Sequence, residues 1–506
     1  MAKGIINRFD GGMAEDLRTT ATNQCASSVN FDIATNPHKL TPYSDPIAET
    51  HASGPMTDYA ITDVAVLNIS GTTPTVYGMG RTNSGSTNVS IFKKSSTSDI
   101  TAQWSAALAS SGIASSGTML NYYDRLAALE KLYMVYTAGA WGEFNPQTNT
   151  FAAASGSIGN PYGNDIYPKP FRHPIDDTVY IGGGQKVYKF DSSTYTTPTL
   201  LHTFMYSFEV TSFCDFGNYL GIGGRYRGRD KKSSVYLSNR VIPNDGAQQV
   251  IDWGEGSLVA IENIGGSIVG ISYTEDVGGY STTSNYKLYI KVWSGGEVQT
   301  VKEIETQRTD EIKIWKAKHD DKLYFGYDTD RSLYVVGKNQ AGEWYVSGDR
   351  YYTPTGSYIT GTFNGISFVG DIAFIAYQDG GTTGYLVRQG TGTTYALTSY
   401  YTTTINPNME VSHRTLRKKL KNIRIAYTVG TAGGTIGVGY RQDSQVASFK
   451  SVISETESST GEYVTHADAC ANGDAFDEGY ELQLELSSTG NVSIKQVEYE
   501  YEIVND

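Results

Sequence analysis

Few side chains in this sequence stand at a spacing typical of a catalytic or metal site. The seven histidines make no i,i+4 pair, and the three cysteines are far apart with no CxxC motif, so neither a zinc site nor a disulfide framework is expected. Carboxylates cluster at residues 328–330 and 474–478, and such oxygen ligands suit calcium. Neither stretch matches a calcium-binding repeat, so we interpret both as solvated turns and expect no metal and no cofactor.

Sequence motifs of common enzymes are missing. There is no HExxH, no GxSxG and no phosphate-binding loop, and the glycine-rich residues 221–224 lie inside an expected hairpin with no helix after them. A glycosidase could use any two suitably spaced carboxylates, but the sequence singles out no such pair. We expect a protein that is not an enzyme and has no catalytic residues, with a propeller hydrolase as an open alternative.

A basic run stands out in a chain whose formal net charge is −13. One interpretation is an exposed strand edge whose charges prevent edge-to-edge pairing. The other is a surface that docks onto an acidic neighbouring subunit. The sequence leaves both open, and the residues concerned are Arg414, Arg417, Lys418, Lys419, Lys421 and Arg424.

Other candidate contact residues lie in the N-terminal segment and in one expected loop. Residues 1–54 are predicted to form an extended arm that contacts its own surface or a neighbour, with Phe9, Arg18 and Phe31 as candidate inter-subunit contacts. The arm could instead complete a blade. Trp141 stands in a glycine-rich stretch within an expected loop at residues 138–164, so it is the candidate aromatic for a loop contact, for example with a sugar.

A recurring hairpin pattern must position these residues. A β-rich run that ends near Gly or Ala crosses a polar turn and meets a second β-rich run, most clearly at residues 323–327 and 332–337. Seven copies are spaced by roughly 40 to 56 residues, which is the period of propeller blades. The other six copies are at residues 76–92, 132–144, 179–190, 219–237, 268–290 and 373–387.

The pattern changes after about residue 400. The basic run leads into an alternating strand, and the chain ends in two further period-2 strands, at residues 480–486 and 492–501, which are typical of antiparallel sheets. We therefore predict an all-β chain: a β-propeller of about seven blades at residues 55–400, followed by a C-terminal β-sandwich at residues 401–506.

Bulk composition excludes some classes of function. A net negative charge argues against a surface that grips nucleic acid, since such binding depends on Lys and Arg neutralising phosphates. Residues 1–10 lack the apolar core of a signal peptide, and no apolar run reaches about 18 residues. We expect synthesis in a cytoplasm and no membrane insertion.

The overall plan resembles that of tailed-bacteriophage virion tail proteins, in particular the β-propeller hub or nozzle proteins of short-tailed phages. The resemblance rests on the opening Phe9-Asp10-Gly11-Gly12, on Asn30-Phe31-Asp32, on the degenerate β repeats and on a basic run leading into a sandwich with alternating last strands. The nozzle opening usually continues toward an Arg-Pro-Gly turn, whereas this chain has the His-Lys-Leu-Thr-Pro-Tyr sequence at residues 38–43. The resemblance therefore leaves the position in the tail open.

The resemblance implies a structural component of the virion tail, made in the host cytoplasm. Its expected partners are other copies of itself in a ring, neighbouring tail proteins and DNA that passes without specific binding. The alternative is a receptor-binding tail-tip or side-fibre protein that recognises host surface glycans.

Overall fold

The structure is a computed structural model. It describes residues 2–9, 25–32, 36, 38–51, 54–55, 59–67, 74–82, 90–94, 104–108, 118–124, 129–136, 140–153, 169–190, 198–227, 232–240, 249–276, 285–307, 314–327, 332–339, 341–351, 362–379, 383–389, 395, 397–442, 448–468 and 478–504. Within these ranges the chain is almost entirely β-structure, and the one helical segment is a 3-10 turn at Val411–His413.

Seven short strands occupy the beginning of the chain. They are β1 (Ala2–Ile6), β2 (Cys25–Val29), β3 (Phe31–Asp32), β4 (Thr41–Pro42), β5 (Ile47–Ala48), β6 (Thr50–His51) and β7 (Gly54–Pro55).

Seven small sheets then follow in sequence order, numbered here as sheets one to seven. Sheet one contains β8 (Tyr59–Leu67), β9 (Thr75–Thr82), β10 (Ser90–Lys94) and β11 (Trp104–Leu108). Sheet two contains β12 (Thr118–Asp124), β13 (Leu129–Tyr136), β14 (Ala140–Asn145) and β15 (Thr150–Ala153). Sheet three contains β16 (Phe171–Arg172), β17 (Val179–Gly183), β18 (Lys186–Phe190) and β19 (Thr199–Thr203). Sheet four contains β20 (Phe208–Phe216), β21 (Tyr219–Tyr226), β22 (Lys232–Ser238) and β23 (Gln249–Glu255). Sheet five contains β24 (Ser257–Ile264), β25 (Ser267–Asp276), β26 (Asn285–Trp293) and β27 (Gln299–Gln307). Sheet six contains β28 (Ile314–His319), β29 (Lys322–Tyr327), β30 (Ser332–Lys338) and β31 (Trp344–Tyr351). Sheet seven contains β32 (Thr362–Val369), β33 (Ile372–Asp379) and β34 (Thr383–Gln389).

The repeated hairpins of the sequence are the two central strands of these sheets. All seven copies coincide with a second and third strand, from β9 and β10 in sheet one to β33 and β34 in sheet seven. The prediction of about seven propeller blades is therefore confirmed. Glycine recurs in the pattern for packing reasons: a side chain at Gly270 would overlap the indole of Trp253, which is buried between sheets four and five.

Most successive sheets contact one another through their first strands, and β32 of sheet seven contacts β8 of sheet one. Sheets three and four instead meet through β17 and β20. The N-terminal chain supplies the fourth strand of sheet seven, because β5 pairs with β34 through Ala48–Val387 and Ile47–Arg388. It also adds β6 and β7 to sheet one, where β6 runs parallel to β11. The N-terminal chain therefore completes the ring that the repeats form.

Several first strands carry a β-bulge at the equivalent place. The register shifts between Val210 and Ser212 in sheet four and between Phe363 and Gly365 in sheet seven, with similar shifts in sheets one and five. A bulge leaves a backbone group without a ladder partner. Side chains from the neighbouring sheet supply the missing partner: Thr211 Oγ1 donates to the Leu258 carbonyl at 2.7 Å, and Asn364 Nδ2 donates to the Ile61 carbonyl at 2.8 Å.

The last eight strands build the sandwich. They are β35 (Ser399–Thr403), β36 (Lys418–Val429), β37 (Gly434–Arg441), β38 (Lys450–Glu457), β39 (Gly461–Asp468), β40 (Glu478–Gly479), β41 (Gln483–Thr489) and β42 (Val492–Ile503).

Two sheets form this sandwich, and each includes a strand from the N-terminal segment. One has the order β1-β42-β36-β39 with β40 beside β36, and the other has the order β2-β35-β41-β37-β38. Alternate residues of the long strands point into one shared core, as shown by Ile423 and Ile425 of β36 and by Leu484 and Leu486 of β41. A β-sandwich is therefore present, as the alternating C-terminal strands predicted.

By compactness the chain divides into two units. Unit 1 comprises Met1–Pro46, Ser332–Tyr358 and Gly392–Asp506, and it contains the sandwich. Unit 2 comprises Ile47–Arg331 and Ile359–Thr391. Domain boundaries were predicted near residues 54 and 400, whereas residues 47–54 belong to unit 2. Residues 1–46 belong to unit 1, where β1 to β4 pair within β-sheets.

Candidate functional site

The basic run leads into β36, one of the two longest strands of the sandwich. Residues 418–429 form β36, which pairs with β42 on one side and with β40 and β39 on the other. A strand paired on both sides has no free edge to protect. The interpretation of the basic run as a charged strand edge is therefore wrong.

The cations of this run meet carboxylates of the same chain. We call this set the charge ladder, and it is formed by Arg417–Glu478 at 3.2 Å, Lys419–Glu478 at 3.6 Å, Lys421–Glu502 at 2.6 Å and Arg424–Glu498 at 3.9 Å. The cationic side chains are between 24% and 58% exposed, so each pair is accessible from solvent. Solvent-accessible ion pairs of this kind contribute little to stability, because water and salt screen them. The ladder thus presents mixed charge, rather than the purely positive surface that the sequence suggested.

Lys418 and Arg414 differ from the ladder. Lys418 is fully buried and donates through Nζ to the backbone carbonyls of Arg414 and Tyr480. Burial lowers the pKa of its amine to about 8. Arg414 donates through Nε to the Met409 carbonyl at 3.3 Å. Lys418 consequently holds the turn before β36 in place, and its side chain has no surface to offer a neighbouring subunit.

The aromatic candidates of the N-terminal segment lie in the core. Phe9 and Phe31 have no exposed area, and Phe9 packs edge to face against Tyr401 with ring centroids 5.4 Å apart. Their contacts are therefore made within the sandwich of their own chain, which corrects the expectation that these side chains reach a neighbour. Arg18 lies outside the described residues.

Trp141 is also a core residue. The stretch expected to be a loop contains β14 and β15, and Trp141 lies on β14 with 4% of its area exposed. Its ring packs against Phe190 of the next sheet, with centroids 5.9 Å apart. The expectation of an exposed loop contact at Trp141 is wrong, because its side chain fills the space between sheets two and three.

A polar groove that the sequence did not indicate lies on the face of the sandwich opposite its core. It has a volume of about 160 Å³ and is floored by Gly437 and Gly439, where the absence of side chains leaves room above the sheet. Glu485, Ser487 and Phe449 are among the groups that line it. Burial raises the pKa of the Glu485 carboxyl. The groove thus combines a partly desolvated carboxylate, hydroxyl groups and one aromatic ring.

One cluster of side chains in the part of the chain that is described has the chemistry of metal ligands. His319 Nε2 lies 3.4 Å from Asp320 Oδ2 and 3.5 Å from Asp371 Oδ1. The cluster was not predicted because Asp371 follows His319 by about fifty residues. An alignment of the repeats could have indicated it, since Asp320 and Asp371 both lie in the turn between the first and second strand of a sheet.

The acidic stretches noted in the sequence contribute little to the described structure. Residues 328–330 and 474–477 lie outside it, and Glu478 belongs to the charge ladder. Among the residues that the structure describes, no helix has the length and apolar character needed to span a membrane.

Comparisons with known proteins give similarity of fold only. No protein-family model matches the chain, and no curated protein matches it. Solved structures that resemble it include Raptor from Chaetomium thermophilum, with a TM-score of 0.45 and 12% identity over 70% of this chain and 30% of that one. BamB from Moraxella catarrhalis matches with a TM-score of 0.38 and 12% identity over 73% of this chain and 98% of that one. A chain of a humanised mutant of the Chaetomium thermophilum Polycomb Repressive Complex 2, bound to the inhibitor GSK343, matches with a TM-score of 0.44 and 9% identity over 70% of this chain and 98% of that one. Similarity at this level carries no argument about function.

Proposed function

We propose that this protein is a non-enzymatic structural component of a phage tail, of the nozzle or hub type, that assembles with copies of itself into a ring. The main support for the proposal is the position of the basic run at the start of the sandwich. The run leads into β36, which pairs with β42, the last of the described strands. A propeller followed by a sandwich with a basic lead-in and alternating last strands is the plan on which the resemblance to these tail proteins rests.

The charge of the chain is consistent with this role. A ring that lines a channel for DNA must not hold the phosphates, and a formal net charge of −13 opposes such binding. The charge ladder supports the same proposal in another way. Its exposed pairs can exchange partners with the charges of a neighbouring tail protein at little cost, because each pair contributes little to the stability of the isolated chain.

Two measurements test the proposal. Light scattering after size-exclusion chromatography is expected to give a closed oligomer of defined size for the full-length chain at high concentration. Mass spectrometry of purified virus particles that carry the coding sequence is expected to detect the chain among the virion proteins. A chain that stays monomeric at all concentrations and is absent from the particles contradicts the proposal.

The polar groove favours a second candidate function, the recognition of host surface glycans. Sugars are bound by carboxylates and hydroxyls that accept and donate hydrogen bonds, and by aromatic rings that pack on the sugar face. Glu485, Ser487 and Phe449 supply these groups around one cavity. Binding of the full-length protein to a glycan array, lost in Glu485→Gln and retained in Glu455→Gln on the same sheet, is the expected result. The absence of any glycan signal, or equal signals from both variants, counts against it.

A further inference from the structure

The cluster of His319, Asp320 and Asp371 joins two neighbouring sheets of the propeller. His319 is the last residue of β28 and Asp320 begins the following turn, so both belong to sheet six. Asp371 lies in the equivalent turn of sheet seven, between β32 and β33. A ligand held by all three would therefore link two sheets whose binding residues lie about fifty positions apart in the sequence.

Packing and backbone geometry fix two of these groups. The imidazole of His319 stacks on Phe368 of sheet seven, with centroids 4.5 Å apart and planes 5° from parallel. Asp320 and Asp321 both have positive φ, at 46° and 55°, a conformation that defines a tight hairpin turn. The Asp321 carboxylate accepts a hydrogen bond from the Gly265 amide of sheet five at 2.9 Å, which anchors this turn from the other side.

The ring nitrogen that faces the two carboxylates makes no hydrogen bond to any of the described residues. His319 Nε2 is buried and lacks a hydrogen-bond partner, although carboxylate oxygens lie 3.4 and 3.5 Å away. A buried polar atom without a partner is costly, so native proteins rarely leave one. A cation between the three groups would satisfy the nitrogen and balance the two negative charges.

The two distances from His319 Nε2 to the carboxylate oxygens match those between ligand atoms of a metal site. Zinc bonds to histidine nitrogen and carboxylate oxygen at about 2.0–2.2 Å in tetrahedral geometry, which places neighbouring ligand atoms about 3.4 Å apart. Both distances from His319 Nε2 have this value within about 0.1 Å. An imidazole among the ligands favours zinc or a similar transition metal over calcium and magnesium, which prefer oxygen.

We propose that His319 Nε2, Asp320 and Asp371 bind a divalent transition metal, with zinc as the best fit, and that the ion fastens sheet six to sheet seven. Three protein ligands leave the fourth position for water. The exposed fractions of the Asp320 and Asp371 side chains, 67% and 94%, give the ion an open path from solvent.

Zinc titration of the full-length chain tests the proposal. The protein, freed of its purification tag and treated with a chelator, is titrated with zinc chloride at pH 7.5 in a calorimeter. We expect one ion per chain and a melting temperature that rises with zinc concentration, because an ion that binds only the folded chain stabilises it. Cobalt(II) in place of zinc should give the visible absorption of a tetrahedral site.

Two variants and one control make the result decisive. Asp371→Asn should weaken zinc binding at least tenfold without affecting the fold, because this side chain is 94% exposed. His319→Gln should abolish binding. The control is His466→Gln, which removes an exposed histidine that lies 3.8 Å from Asp468 and has no third ligand among the residues that the structure describes, and it should bind zinc like the wild type. The absence of zinc binding, or equal affinity in Asp371→Asn and the wild type, overturns the proposal.

Discussion

Glu49 and Lys94 form an ion pair with an Oε2–Nζ distance of 2.5 Å, and both side chains are almost completely buried. The Trp104 indole donates to the same carboxylate oxygen at 2.7 Å. Glu49 directly follows β5, which completes sheet seven, whereas Lys94 and Trp104 belong to sheet one. The pair therefore holds the segment that closes the ring between the last sheet and the first.

Removal of the Glu49 carboxylate should destabilise the protein strongly. Loss of one partner of a buried ion pair costs about 3–5 kcal/mol, so we expect this loss in the free energy of unfolding for Glu49→Ala, measured by urea denaturation. Glu49→Leu combined with Lys94→Met should recover much of the loss. Glu462→Gln, which removes a 76% exposed partner of Lys495, serves as the control and should leave the free energy of unfolding nearly unchanged. Equal effects at Glu49 and Glu462 would contradict this role.

The side-chain bonds at the bulges should each contribute to the stability of the ring. Asn364→Ala leaves the Ile61 carbonyl without its donor, and Thr211→Val does the same to the Leu258 carbonyl. An unsatisfied buried acceptor costs about 1–3 kcal/mol, which is the loss expected in the free energy of unfolding for each variant. Asn218→Ala, in an exposed turn, is the matched control and should change stability by less than about 0.5 kcal/mol. Asn364→Ala with wild-type stability would be the contrary result.

Lys418 should make stability depend on pH in the alkaline range. Its amine has a pKa of about 8 in the folded chain against 10.5 for an ordinary lysine, so between these values the unfolded chain binds more protons. The free energy of unfolding contributed by this group therefore rises as pH increases from 8 to 10.5, and it is lost as pH falls through 8. Denaturation of wild type and Lys418→Met at several pH values measures the effect. The free energy of unfolding of the wild type, relative to that of Lys418→Met, should rise as pH increases from 8 to 10.5. Parallel pH dependences of the two proteins would exclude this assignment.

Gly4 should not tolerate a side chain. It pairs with Tyr499 across β1 and β42, and a Cβ atom at this position would overlap the Tyr499 ring. Tyr499 is buried and donates its hydroxyl to the Pro407 carbonyl, so it has little room to move. We expect Gly4→Val to lower the free energy of unfolding by about 1–3 kcal/mol. Lys3→Ala, on the exposed neighbour, should have a small effect, and a stable Gly4→Val variant would show that β1 is not fixed against β42.

The sequence predicted the propeller well because each hairpin is local. Alternating apolar residues and turn residues within 12 to 23 positions define each hairpin, and seven repetitions define the number of sheets. The last strands of the sandwich were recognisable for the same reason: β41 and most of β42 alternate between apolar and polar residues, so one face of each strand must be buried.

Pairings between distant segments could not be predicted in the same way. Phe9 and Phe31 were expected at a surface, since nothing near them in sequence indicates that β1 pairs with β42 or that β2 pairs with β35. The partners of the charge ladder lie more than fifty residues beyond the basic run, so the run appeared more positive than it is. Trp141 was assigned to a loop because flanking glycines resemble a turn, whereas its burial depends on the next sheet.

Imaging of the tail by electron cryomicroscopy tests the central claim most directly. Particles of the virus that carries the coding sequence would be reconstructed, and the propeller and sandwich described above would be fitted to the density. The account predicts a closed ring of copies around the tail axis, each with seven sheets and a sandwich. A tail whose density is fully explained by other proteins, together with a chain that remains monomeric in solution, would contradict it.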